Sequence, residues 1–309
     1  DLESGVRDAM IAAALQLAAD VKYCGIGTFE FLLDAAQPGR FYFMEANPRV
    51  QVEHTVSEQV TGIDLLHTQL KLVAGQSLAA LGLLQPPAVQ GFAVQLRINL
   101  ETLHADGSTR PAVGTLTAFD PPSGPGLRVD GYGYAGYPVS PSYDSLLAKL
   151  IAQGADYPAA LRRAYRALSE FRLEGVANNL HLLQNLLRHP AVQRHQVNTR
   201  FVENQLSELL APQPQAHAHR YFAVSSASVA ATLHNVDAPP GSVPLTTPNT
   251  GVLVCLEVAE GDAVAAGQSI AVLEAMKMEF VVKASHSGIV RALAAQPGDT
   301  LAEGQTLLF

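Results

Sequence analysis

The sequence predicts an α+β lobe joined by a linker to a small all-β module. Three observations predict it. Helical and strand-like periodicities alternate over residues 1–210. Pro, Ala, Ser and His then dominate 211–245, in APQPQAHAHRYF and DAPPGSVPL, and periodicity is lost. Residues 246–309 are short β-branched runs separated by Gly-Asp and Gly-Gln turns, and their pattern repeats.

Each element has its own signal. Residues 7–22 (RDAMIAAALQLAADVK) place apolar side chains at helical spacing in an Ala-rich background. GIGTFEFLL and RFYFMEA read as two strands around the Pro-Gly turn of AAQPG. Residues 62–74 read as a helix ending at Gly75, and 91–140 as several strands with turns such as DPPSGPG. Residues 144–172 and 176–188 read as helices, with Arg162, Arg163 and Arg166 on a solvated face.

Composition bounds the function. The 309 residues are 48% hydrophobic and 16% charged, against about 25% charged in ordinary domains, so the chain builds real cores and is not disordered as a whole. No run of about 18 apolar residues exists, which excludes a membrane span. A net charge of −8 argues against a general nucleic-acid binder, which needs a basic face. Cys24 and Cys255 stand far apart, giving neither a disulfide framework nor a CxxC metal signature, and a reducing, cytoplasmic setting is expected. Cys24, beside Gly25, reads as a small buried hydrophobe. His54, His67 and the His217/His219 pair read as surface or core residues rather than metal ligands, and the A-H-A-H spacing of the pair is too sparse for zinc. The chain opens at Asp1 and ends at Phe309 within an apolar run, so both ends read as cuts in something longer.

The all-β module carries an internal repeat. A shift of 37 residues lays Gly251 on Gly288, Leu256 on Leu293, Gly261 on Gly298, Asp262 on Asp299, Gly267 on Gly304 and Gln268 on Gln305. Copies of about 25 residues are too small to fold singly and are expected to pair into one pseudo-twofold unit. The insert between them, Leu273–Ser287, holds EAMKMEF and is expected to form a crossing hairpin with Lys277 exposed at its tip. A lysine amine is a modifiable nucleophile on a flexible stem. Glu274-Ala275-Met276-Lys277-Met278 inside this repeat resembles the biotinyl domain of biotin-dependent carboxylases; lipoyl domains usually carry DKA around the lysine instead. The resemblance implies biotin amide-linked to Lys277 by a biotin protein ligase.

The lobe holds a second constellation. With a hairpin centred between Gln37 and Pro38, Glu30 lies directly opposite Glu45 on one face. Like charges across a sheet destabilise it, and a divalent cation removes that penalty. Asn47, two residues along the same face, offers a neutral oxygen. Two carboxylates and an amide suit Mg2+ or Mn2+. A one-residue slip puts the acids on opposite faces. A pair of exposed edge acids is the alternative.

The residues that follow, Glu45-Ala46-Asn47-Pro48-Arg49-Val50-Gln51-Val52-Glu53-His54, resemble the E-x-N-x-R-x-Q-V-E-H signature of biotin carboxylase, an ATP-grasp enzyme. Gly27-Thr28-Phe29-Glu30-Phe31, Tyr134-Ala135-Gly136-Tyr137, Tyr143-Asp144-Ser145 and Ala148-Lys149-Leu150 fit the same family. The match covers about 1–205, and the biotinyl match about 245–309. FDPPSGPG and RVDGYGYAGY resemble single-chain acyl-CoA carboxylases. The implied fold is the C-terminal lobe of an incomplete ATP-grasp biotin carboxylase (1–210), a linker (211–245) and a biotinyl flattened barrel (246–309).

The resemblance implies roles residue by residue. Glu30 and Glu45 hold the metal that bridges the nucleotide phosphates, with Asn47 beside them. Arg49 clamps bicarbonate, Glu53 deprotonates it for attack on the γ-phosphate of ATP, and Gln51 with the Val52 backbone lines the pocket. Arg128 stabilises the enolate-like biotin anion, although its turn-like flanks equally suit a solvated arginine. The carboxyltransferase that passes CO2 to an acyl acceptor, and a homo-oligomeric full-length form, are expected partners. No GGGG-type lid is present, so the fragment alone is expected to be inactive. A carrier module with a non-catalytic scaffold is the competing reading.

Overall fold

The computed structural model describes residues 4–37, 39–212, 238–275 and 278–309. In chain order the elements are α1 (Ser4–Asp20), β1 (Thr28–Leu33), β2 (Phe41–Asn47), α2 (His54–Thr61) and α3 (Leu65–Val73). There follow β3 (Phe92–Asn99), β4 (Glu101–Leu103), β5 (Thr109–Pro111), β6 (Gly114–Thr115), β7 (Ala118–Asp120), β8 (Leu127–Gly131), β9 (Pro138–Val139) and β10 (Leu146–Gly154). Next come α4 (Tyr157–Glu170), β11 (Arg172–Glu174), α5 (Leu180–Arg188), α6 (Pro190–Gln193) and α7 (Phe201–Leu210). The last module holds β12 (Leu245–Thr246), β13 (Gly251–Leu256), β14 (Ala263–Val264), β15 (Ser269–Ala275), β16 (Met278–Lys283), β17 (Gly288–Ile289), β18 (Thr300–Leu301) and β19 (Thr306–Leu308). The chain divides into two compact units, one of Asp1–Gln95, Ile151–Ala164 and Pro190–Gln196, the other of Leu96–Leu150, Tyr165–His189 and Val197–Phe309.

In the first unit the hairpin turn is built locally. The Asp34 carboxylate accepts the Ala36 and Gln37 amides at 2.8 and 3.2 Å, and Gly39 takes φ 90°, a conformation open to glycine. The pairing runs Leu33↔Phe41, Leu32↔Tyr42, Phe31↔Phe43, then shifts to Glu30↔Glu45, Phe29↔Ala46 and Thr28↔Asn47. Near the turn the register therefore differs by one residue from the simple hairpin. Met44 is the extra residue, and this bulge brings Glu45 opposite Glu30. Phe29, Phe43 and Ala46 line a cavity of about 250 Å3 with Leu17 of α1 and Val21 just beyond its end.

Beyond the hairpin, α2 was not anticipated. Its eight residues, HTVSEQVT, include four β-branched side chains and give about two turns, too little for a clear period. It ends at Gly62 (φ 70°), whose amide donates to the Glu58 carbonyl at 2.8 Å. The helix predicted over 62–74 is observed as Leu65–Val73, capped by the Asp64 carboxylate on the His67 amide at 2.8 Å. Cys24 is exposed, not buried: the buried apolar side chains all lie at Leu96 or later among the described residues.

The predicted helix over 144–172 is corrected. Leu146–Gly154 is a strand, covered on both faces along nearly its whole length. Only the remainder, Tyr157–Glu170, is helical. A strand buried on both sides shows an unbroken apolar run, which periodicity does not separate from a buried helix. Gly154 marks the corner: a Cβ there would lie 2.4 Å from the Ala160 amide nitrogen. On α4, Arg162 is exposed, Arg163 donates to the Gln153 carbonyl, and Arg166 approaches Glu170 at 3.5 Å.

The second unit includes β8, Leu96–Asn99 of β3 and Leu146–Leu150 of β10. Ile98, Leu147 and Leu150 are fully buried there, each worth roughly 1.5–3 kcal/mol of hydrophobic stabilisation. Helices α5 and α7 pack together, and buried Asn185 donates to the Leu209 carbonyl at 2.7 Å, satisfying an end of α7.

The same unit contains the β module, whose sheet order is β16-β15-β13-β18. The expected twofold is visible bond by bond. Gly251↔Leu301 and Val252↔Thr300 in one half correspond to Val264↔Gly288 and Ala263↔Ile289 in the other. The Asp262 carboxylate accepts the Ala259 amide at 2.8 Å, and Asp299 accepts Gln296 at 2.8 Å. Gln268 and Gln305 accept the Ala265 and Ala302 amides, both at 3.0 Å. Leu253, Ile270, Leu273, Leu301 and Leu307 form its core. The insert is the β15–β16 hairpin, paired out to Ala275↔Met278. At the other end of those strands, Gly241–Leu245 line a cavity of about 400 Å3 with Ala284–Arg291. Met276, Lys277 and residues 213–237 of the expected linker, with its histidine pair, lie outside the described residues.

Candidate active site

The first unit gathers Glu30, Glu45, Asn47, Arg49, Gln51, Val52 and Glu53 along one hairpin face and the segment that leaves it. Asn47 is the hub. Its Nδ2 donates to Glu45 Oε1 at 2.8 Å and to Glu30 Oε1 at 3.0 Å, while its Oδ1 accepts from Arg49 Nη2 at 3.4 Å. Glu30 Oε1 also accepts from Gln51 Nε2 at 3.1 Å. The amide therefore bridges two carboxylates that would otherwise face each other unassisted. Glu30 is half-buried and Glu45 exposed.

The chain then turns sharply. The Arg49 amide donates to the Asn47 carbonyl at 2.8 Å, and Arg49 Nη1 donates to the Val50 carbonyl at 3.3 Å. Glu53 occupies the N-cap position of α2, exposed, and its side chain does not cap the helix. Gln51 Oε1 is buried without a hydrogen-bond partner, the kind of orphan that a ligand satisfies.

Among the described residues no three His, Cys, Asp or Glu side chains cluster as a metal site. A Mg2+ or Mn2+ ion held by one or two carboxylates plus nucleotide phosphates needs no third acidic side chain, and the Glu30/Glu45 pair fits that donor set.

Arg128 lies in the second unit, on β8, and is engaged. Its Nε and Nη2 donate to the two oxygens of Asp130 at 2.8 and 2.9 Å, a bidentate pair, and Lys149 Nζ is 3.5 Å from the same carboxylate. Burial works to raise the Asp130 pKa, but the Arg128 hydrogen bond and charge, with Lys149, hold it below the ordinary 3.8. His67 is an exposed partner of Asp64 at 3.1 Å. His54 is largely shielded, at 13% exposure, and its ring Nδ1 lies 2.8 Å from the Gln51 carbonyl. The signal that sequence reading passed over was its spacing of four from Glu58.

Comparison with known proteins adds the family. Residues 1–81 match the carbamoyl-phosphate synthase L chain ATP-binding domain, 95–204 the biotin carboxylase C-terminal domain, and 243–309 the family described as biotin-requiring enzyme. The biotin-dependent acyl-coenzyme A carboxylase alpha3 subunit of Mycobacterium leprae is 33% identical, over 96% of this chain and 55% of its own. The biotin carboxylase of Nostoc sp. is 42% identical, over 65% of this chain and 44% of its own. A solved single-chain, multi-domain long-chain acyl-CoA carboxylase aligns with 100% of this chain and 30% of its own, at 42% identity and TM-score 0.64. The chain thus spans about half or less of the length of these relatives. An ATP-grasp biotin carboxylase lobe followed by a biotinyl module is the class that fold and motifs define. The chain belongs to the biotin-dependent carboxylases.

Proposed function

We propose that the chain contributes to ATP- and bicarbonate-dependent carboxylation of biotin carried on its own Lys277, for later transfer to an acyl acceptor. The observation that carries this reading is the Asn47 hub, which holds Glu30 and Glu45 together next to Arg49 and Gln51. Glu30 and Glu45 are the residues to hold Mg2+ or Mn2+. When bound, the ion neutralises charge on the nucleotide phosphates. Turning the Asn47 amide would present its oxygen in place of its N–H groups.

In this reading Arg49 orients bicarbonate, for which a planar guanidinium is the right shape. Glu53 removes the bicarbonate proton from its exposed helix-end position, and the anion then attacks the γ-phosphate of ATP, displacing ADP and giving carboxyphosphate, which splits into CO2 and a phosphate that takes the ureido proton of biotin. Gln51 and the Val52 backbone line the pocket. Arg128, made rigid by Asp130, supports the biotin anion that captures CO2. Positioning and charge do the work, as is general for phosphoryl transfer.

A biotin protein ligase and a carboxyltransferase are the partners this function requires. An acyl-CoA is the favoured acceptor, because the relatives aligned over both modules are acyl-CoA carboxylases. A cytoplasmic setting, with both cysteines free, belongs to the same proposal, as do the boundaries 1–210, 211–245 and 246–309.

The test uses the intact carboxylase. Glu53→Gln should lower bicarbonate-dependent ATP cleavage by about 10²–10⁴-fold, the usual contribution of a general base. Unchanged turnover would favour a scaffold role for the lobe. Lys277→Arg should abolish streptavidin-detectable biotin, and retained labelling would place the biotin elsewhere.

A further inference from the structure

Behind the Gln51–Glu53 segment lies a polar relay that the proposed chemistry does not use. The Gln51 carbonyl is held twice by His54. The backbone amide of His54 donates to it at 3.2 Å, and ring Nδ1 lies 2.8 Å from the same oxygen. A carbonyl only accepts, so Nδ1 carries the hydrogen. The opposite ring nitrogen, Nε2, is buried without a hydrogen bond and faces Glu58 Oε2 at 4.0 Å. Both side chains are largely shielded, at 13% and 9% exposure. Glu58 is itself fixed, since its Oε1 accepts the Leu65 amide at the start of α3 at 2.8 Å. The next residue, Thr55, is fully buried and donates to Gln95 Oε1 at 2.5 Å.

The line of contacts is therefore continuous. It runs from the α3 N-terminus through Glu58, His54 and the Gln51 carbonyl, then from the Gln51 amide to Glu30. One end is buried and anchored to two helices, and the other is the acidic hairpin. A buried carboxylate is costly unless it is engaged, and Glu58 is engaged by the Leu65 amide rather than by the ring.

We propose that His54 is a positioning residue for the carboxylation reaction. It clamps the Gln51 carbonyl, and so sets the Gln51 amide against Glu30 and fixes Glu53 at the mouth of α2. It touches no reacting atom. The inference rests on the functional reading given above.

The test compares His54→Ala, His54→Asn and His54→Gln in the intact enzyme. The amide nitrogen of Asn falls near the place of Nδ1, and that of Gln near the place of Nε2. Three readouts are taken: kcat and KM for bicarbonate-dependent ATP cleavage, amide exchange over residues 49–56, and thermal midpoint. His54→Ala should lower kcat by about 10–100-fold, the usual cost of losing an orienting partner one shell from a site, with little change in the KM for ATP. It should also speed exchange of the His54 and Val56 amides. His54→Asn should recover most of both losses, and His54→Gln neither. Full kcat in His54→Ala overturns the proposal. So does equal rescue by Gln and Asn, or a kcat loss that tracks the thermal midpoint across the three variants. If the wild-type enzyme shows no bicarbonate-dependent ATP cleavage, the functional reading fails. Amide exchange then decides the clamp alone: unchanged protection in His54→Ala overturns it, and Asn-specific restoration supports it.

Discussion

Replacing Glu45 with Gln should separate the stability of the acidic hairpin from its response to metal. The Glu30 and Glu45 Oε1 atoms both touch Asn47 Nδ2, at 3.0 and 2.8 Å. They therefore lie within about 6 Å of each other, where two unit charges repel by about 0.7 kcal/mol in water and about 3 kcal/mol at an effective dielectric of 20. Glu45 is exposed, which places the repulsion near the lower end, at about 1 kcal/mol. Gln keeps an oxygen for the Asn47 amide and removes the charge. Without metal, Glu45→Gln should match or slightly exceed the wild type, by about 1 kcal/mol at most. An ion at one hundred times its Kd should stabilise the wild type by about 2.7 kcal/mol and the variant by much less. The assay is urea unfolding of the intact protein at low ionic strength, in EDTA and then in MgCl2. A variant clearly less stable than wild type in EDTA, or one that keeps the full metal increment, would refute the opposed-carboxylate reasoning.

Other expectations follow from the same structure. Leu150→Ala removes a fully buried side chain from a strand covered on both faces and should cost about 2–5 kcal/mol in denaturant unfolding. A solvent-facing helical position would lose far less. Asp130→Asn tests the Arg128 pair by pH. A carboxyl held below its ordinary 3.8 adds stability that is fully present above that value and is lost as pH falls through the lower folded value. Wild type should therefore exceed the variant at neutral pH, and the gap should close below about pH 4; a gap independent of pH would count against the pairing. Gly251→Ala puts a Cβ 2.9 Å from the Glu274 carbonyl oxygen, beside the lysine-bearing hairpin. It should destabilise the carrier by about 1–3 kcal/mol and slow its biotinylation; wild-type labelling kinetics would argue that the hairpin base tolerates displacement.

The β module was legible almost atom by atom. Its repeat appears in the sequence as paired Gly-Asp and Gly-Gln turns, and the same residues make the same amide-to-side-chain bonds in both halves. The pairing of Glu30 with Glu45 was legible from strand alternation and a Pro-Gly turn. The reason for it was not, since a bulge at Met44 leaves no mark in a run of four apolar and aromatic residues. β10 was misread because LLAKLIA has no polar face to set its period. His54 was passed over because its role depends on a carbonyl three residues back, and backbone groups leave no letter in a sequence.

The position of Gly241–Leu245 in the β module has a mechanical consequence. The chain enters beside Ala284–Arg291, at the far end of the β15–β16 strands from Ala275 and Met278, which flank the lysine. The six residues of β16 span about 20 Å at roughly 3.3 Å each. The end of the sheet at Ala275 and Met278 therefore stands about one strand length from the point of entry, and any group carried there would be held at that distance by the paired strands.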